Sequence, residues 1–172
     1  FILTEMRDKG RDFAEVLVEA LALGYAEADP AFDVEGIDAA HKLTIMASLA
    51  FGIPLQFDKA YIEGITQLTR DDVAYAEELG YRIKHLGIAR RTADGIELRV
   101  HPTLIPAERL IANVHGVKNA ILVQSDPVGP TLYYGAGAGA GPTASAVVAD
   151  IVDLVRSLTA ESSPNVPHLA FM

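Results

Sequence analysis

The hydrophobic period of this chain changes once, near Tyr81, and that change limits the fold more than any other feature. Before it, apolar side chains recur at three- and four-residue intervals; after it they fall in short runs bounded by turn formers. Phe13, Val16, Leu17, Ala20 and Leu21, with Glu15 and Glu19 opposite, predict a helix over 4–23 that stops at Gly24. A second helix is expected over 37–51, ended by Gly52 and Pro54, and a short extended piece over 56–61. Thr69, followed by Asp71 and Asp72, is a helix start with acids in the first turn, and that helix should end near Gly80. RIKHLGIARR and IELRVHPTLI, joined through Asp94 and Gly95, then read as a hairpin, and NAILVQSD and TLYYGAGA supply two further strands. A last helix runs from Pro142 to about Leu158, with Ala146, Val147, Ile151, Leu154 and Val155 as its apolar stripe. Helices first and strands later predict an α+β fold, with one mostly antiparallel or mixed sheet and helices packed on one face.

The 172 residues suffice for one domain over 1–158; the Ser- and Pro-containing stretch 159–172 reads as a linker. A net charge of −9 leaves no basic stripe to neutralise phosphates, which argues against nucleic acid. With no cysteine, disulfides, zinc thiolates and cysteine nucleophiles are excluded, which fits a reducing, cytoplasmic setting. No apolar run approaches the roughly 20 residues that span a bilayer. The chain opens on Phe1, already within a structured pattern, so it is expected to be cut from a longer one.

The chemistry concentrates in 20–42, ALALGYAEADPAFDVEGIDAAHK. Glu27, Asp29, Asp33 and Glu35 fall among turn formers, and Asp38 and Lys42 follow four residues apart. On a helix that spacing stacks the two side chains on one face. A solvated surface pair is one reading. Against it, the lysine heads the apolar run LTIMASLAF, which predicts a mostly buried helix, and the loop acids crowd carboxylates towards it. A lysine whose pKa is lowered by partial burial can take or give a proton, and a carboxylate one turn away would aim it. Asp29 before Pro30 reads as a turn pair, and His41 projects about 100° away from Lys42. The other histidines, His85, His101, His115 and His168, show no metal-ligand spacing, and the acidic loop lacks that of an EF-hand.

GAGAGAGPT, residues 135–143, follows a strand and opens a helix. Glycines there let backbone approach a ligand at a helix N-terminus, or simply permit a tight crossover. The alternation differs from the usual dinucleotide fingerprint, which opens a βαβ unit.

Ala20, Gly24, Tyr25, Asp29, Pro30, Asp33, Gly36, Asp38 and Lys42 stand at the spacing of the homoserine dehydrogenase signature. The likeness extends through GITQLTRDDVAYAEELGYRIKHLGIA, HPTLIP, NVHGVKNAILV and YYGAGAGAGPTASAVVADIV, so the chain resembles the catalytic domain of that family over nearly its whole length. The resemblance implies reduction of L-aspartate 4-semialdehyde to L-homoserine with NADH or NADPH, within threonine, methionine and isoleucine biosynthesis. It assigns Lys42 the proton, with Asp38 as its partner. Glu27 and Asp38 hold the substrate amino group and Asp33 supports them. Gly139 adjoins the NAD or NADP dinucleotide, with Gly137 and Thr143 nearby. It further implies a homodimer or higher homo-oligomer, a Rossmann-type half upstream, and an ACT-type regulatory domain downstream. This stretch alone is then expected to be inactive. The rivals are a non-catalytic dimerisation module, and a dehydrogenase for another amino-acid-derived aldehyde.

Overall fold

The computed structural model describes residues 1–26, 29–137 and 139–159. Two helices, α1 (Ile2–Lys9) and α2 (Phe13–Ala22), open the chain. The single helix expected over 4–23 is thus broken, because Gly10 adopts φ 61°, a left-handed conformation that closes α1. The stretch expected to be loop throughout contains a one-turn helix, α3 (Ala31–Val34), seeded where Asp29 Oδ1 accepts the Ala31 N–H at 3.1 Å. The long helix α4 (Ile37–Phe51) matches its expected limits. It runs from Gly36, at φ 82°, to Gly52, at φ 65°, whose N–H returns to the Ser48 carbonyl. Ala40, Leu43, Thr44, Ala47 and Ser48 form its buried stripe, at the spacing one helical face requires.

The piece expected to be extended over 56–61 is a 3₁₀ turn (Phe57–Lys59) leading to a two-residue strand, β1 (Tyr61–Ile62). Helix α5 (Arg70–Glu78) starts as predicted. The Thr69 hydroxyl accepts the Asp72 N–H, and the Asp72 carboxylate accepts the Thr69 N–H, so two otherwise orphaned donors are satisfied.

Strands β2 (Tyr81–Thr92) and β3 (Gly95–Pro106) form the predicted hairpin, paired from Tyr81↔Pro106 to Thr92↔Gly95, and β1 joins the β3 edge in parallel. β4 (Lys118–Ser125) and β5 (Gly129–Ala136) pair only with each other. The strands therefore make two sheets where one was expected, although the α+β class holds. Helix α6 (Ala140–Thr159) follows, starting two residues ahead of the expected Pro142. Of the tail expected from 159, only Thr159 is among the described residues.

Two clusters make the core. Met6, Val16 and Val73 draw α1, α2 and α5 together, with Phe13 and Ile83 against them. Ala40, Leu43 and Val100 seat α4 on the long hairpin, flanked by Phe57, Ile62, Ala89 and Leu98. Gly87 makes that seat possible, since a Cβ there would already sit 3.4 Å from Leu43 Cδ1. By contrast, α6 turns Val147, Ile151, Leu154 and Val155 outward, and β4–β5 exposes Ile121, Leu122, Tyr133 and Tyr134. Within this chain those apolar faces are uncovered.

Candidate functional site

Helix α4 carries Asp38 in its first turn and Lys42 one turn later. Lys42 Nζ donates to Asp38 Oδ2 at 2.5 Å, the contact that an i,i+4 spacing predicts. The burial anticipated for the lysine is absent from this chain, because its side chain is 67% exposed and that of Asp38 33%. The reason is geometric. The apolar run after Lys42 is divided by the helix into an inward set, Leu43, Thr44, Ala47 and Ser48, and an outward set, Ile45, Met46 and Leu49. Lys42 belongs to the outward side, an open face on which a substrate could be placed and then covered.

His41, set aside on the sequence, is structural. Its ring stacks on Phe57 with centroids 4.1 Å apart and faces Phe32 at 5.8 Å. Asp33 ends α3 one turn ahead of Asp38 and lines a cavity of about 340 Å³ together with Tyr25, Lys84, His85 and Asn119. Glu27, expected to hold the substrate, lies outside the described residues. Asp29 is the turn residue that the sequence suggested.

The glycine run forms the crossover from β5 to α6. Gly139 adopts φ 107°, which a side chain would strain, and its carbonyl accepts the Thr143 N–H at 3.0 Å in the first turn of α6. The two readings of the run separate here by position. A Cβ on Gly137 would fall 2.2 Å from Asn119 Nδ2, so glycine at 137 serves close packing. A Cβ on Gly135 or Gly141 would meet nothing within 4 Å, so no neighbour among the described residues demands glycine there. Open backbone at a helix N-terminus is chemistry that suits an anionic, planar ligand.

Lys84 carries the largest perturbation among the described residues. Burial in the hairpin, then repulsion from Arg7 and Arg82, bring its ammonium down to about 8, with Asp8 pulling the other way. The group donates to the Val114 carbonyl. Amine labelling as a function of pH should therefore show Lys84 reacting with a midpoint near 8. Exposed lysines should follow a midpoint of about 10.4. Co-titration of Lys84 with them would contradict its environment.

The family model for homoserine dehydrogenase matches residues 1–152. The chain belongs to the homoserine dehydrogenase family. It is 74% identical over 171 residues to the homoserine dehydrogenase of Pseudomonas aeruginosa, covering 99% of this chain and 39% of that protein. It is 67% identical to that of Neisseria gonorrhoeae, with the same coverage of each chain. The crystal structure of a homoserine dehydrogenase from Thiobacillus denitrificans superposes with a TM-score of 0.93 at 73% identity, over 100% of this chain and 40% of that one. A hyperthermophilic archaeal homoserine dehydrogenase mutant in complex with NADPH superposes with a TM-score of 0.70 at 28% identity, over 91% of this chain and 44% of that one. The chain thus spans about two-fifths of the length of the homoserine dehydrogenases it matches.

Sequence reasoning found the acid–lysine pair of this family member but passed over Lys84 and His85. Both lie inside a strand, where alternation of Arg82, Ile83, Lys84 and His85 suggests only a half-solvated face. Nothing local to that strand announces that Arg7 and Val114, far away in sequence, converge on it.

Proposed function

We propose that this chain is the substrate-binding part of a homoserine dehydrogenase whose intact polypeptide interconverts L-aspartate 4-semialdehyde and L-homoserine with NAD or NADP. The observation that supports it most is the Asp38–Lys42 pair on the open face of α4, in a chain of this family. Oxidising the hydroxyl requires a group that accepts its proton as hydride leaves the same carbon; reduction requires that group to return it. Lys42 Nζ does this work, and Asp38 holds the ammonium in place and shares the substrate amino group with Glu27, with Asp33 in support. The dinucleotide supplies the hydride acceptor or donor. The open backbone at Gly135, Gly139 and Gly141 fits its approach. Gly139 is the residue nearest to it, with Thr143 in the turn behind, while Gly137 acts through its packing on Asn119.

The remainder of the polypeptide and a second copy of the chain cover the apolar faces of α6 and β4–β5, giving a homodimer or higher homo-oligomer. Among the described residues no helix is long and apolar enough to cross a membrane.

The test is turnover by the intact polypeptide of L-aspartate 4-semialdehyde with NADH and with NADPH, with light scattering alongside. Turnover at about 1–10³ s⁻¹ with one nucleotide is expected, from a particle of at least dimeric mass. A well-folded dimer inert with both nucleotides would favour the assembly-module reading instead.

A further inference from the structure

The corner between α3 and α4 is held from outside by a backbone segment and one histidine. Gly64 lies so close to it that a Cβ there would be 2.5 Å from the Val34 carbonyl oxygen and 2.6 Å from Glu35 Cα. The Ile65 N–H donates to that same Val34 carbonyl at 2.8 Å, and the Glu63 N–H donates to the Val100 carbonyl at 2.8 Å, tying the segment to β3. From β2, His85 reaches across. Its Nε2 lies 2.9 Å from the Glu63 carbonyl, an acceptor, so this nitrogen carries the proton and donates it. The face of the same ring closes on Gly36, where a Cβ would stand 2.9 Å from His85 Cε1 and 3.1 Å from Val100 Cγ1. Burial, opposed by the hydrogen bond to Glu63, keeps the ring below the usual imidazole pKa, which favours the neutral donor form.

Gly36 is the residue before α4, and α4 has no side-chain cap of its own. The direction in which the helix leaves the corner is therefore set by what presses on Gly36, Val34 and Glu35. Asp33 stands immediately before that corner, and Asp38 and Lys42 immediately after it. We propose that His85 is a positioning residue for the reaction, wedging Gly36 and anchoring the Glu63–Ile65 segment so that Asp33, Asp38 and Lys42 present one fixed constellation to the substrate. This rests on the function proposed above, but its geometry does not.

The experiment compares the intact enzyme with its His85→Ala and His85→Gln variants, since the glutamine amide can restore the hydrogen bond to Glu63. A displacement of about 1 Å in a reacting constellation can cost on the order of 10²-fold. His85→Ala should accordingly lower kcat/KM for L-homoserine by about 10- to 100-fold, with KM for the dinucleotide unchanged. Hydrogen exchange, read by mass spectrometry, should quicken in peptides covering 33–40 and 63–66 and stay at the wild-type rate in those covering 70–78. His85→Gln should restore most of both readouts. A His85→Ala enzyme with wild-type kcat and KM for L-homoserine would overturn the proposal. So would a uniform loss that quickens exchange in 70–78 as well and is not rescued by glutamine, since that pattern belongs to a merely structural side chain. An inert wild type would instead refute the proposed function, and the exchange pattern alone would then decide whether the histidine holds the corner.

Discussion

Replacing Lys42 with alanine in the intact enzyme is expected to lower kcat by about 10²- to 10⁴-fold, the range that a positioned general acid–base supplies. The fold should not notice. The side chain is 67% exposed and its partner is Asp38 on the same helix, and exposed i,i+4 pairs contribute only about 0.3–0.5 kcal/mol. Unfolding midpoints of variant and wild type should therefore nearly coincide. Lys42→Arg should fare little better than alanine, because guanidinium does not give up its proton in the working pH range. A Lys42→Ala enzyme within a few-fold of wild-type kcat, at an unchanged unfolding midpoint, would remove the lysine from the reaction.

The neighbouring position should behave in the opposite way. Leu43→Ala is expected to destabilise the intact enzyme by about 3–5 kcal/mol, as deletion of a buried leucine does when its surroundings cannot collapse. Leu43 is 3% exposed and is held between Gly87 beneath it and Val100, Ala89 and Leu98 on the hairpin. Strands cross-linked by a twelve-residue ladder cannot move in to fill the gap. Urea unfolding with the slope unchanged would read the loss directly. A change below about 1 kcal/mol would mean that the seat of α4 is softer than its packing implies. Two adjacent residues thus separate the functions of one helix, Leu43 fixing where it lies and Lys42 what it presents.

That division explains what could be read from the sequence. Spacing alone placed Asp38 and Lys42 on one face of a helix, and the limits of α4 followed from Gly36 and Gly52. The capping signal at Thr69 and the hairpin turn near Asp94 were likewise local, and both were legible. What failed was non-local or depended on a single torsion. Gly10 could have sat within a helix at modest cost, and only its left-handed φ splits the first one in two. The number of sheets depends on which strand edges meet, information that no stretch of residues carries by itself. Lys42 was expected to be buried because its run is apolar. Yet Ile45, Met46 and Leu49 face outward in this chain, and the same holds for the stripe of α6. Those faces show why apolar content alone is a poor guide to burial in a chain that spans two-fifths of its relatives' length. The roles of His85 and Gly64 were invisible for a related reason, since each is defined by what the corner at Gly36 brings against it.

The most direct measurement is a crystal structure of the intact enzyme with L-homoserine bound. The account predicts the substrate hydroxyl oxygen within about 2.6–3.2 Å of Lys42 Nζ, and the substrate ammonium against the Asp38 carboxylate. A substrate seated elsewhere, with its hydroxyl beyond the reach of Lys42 even through one bridging water, would contradict it.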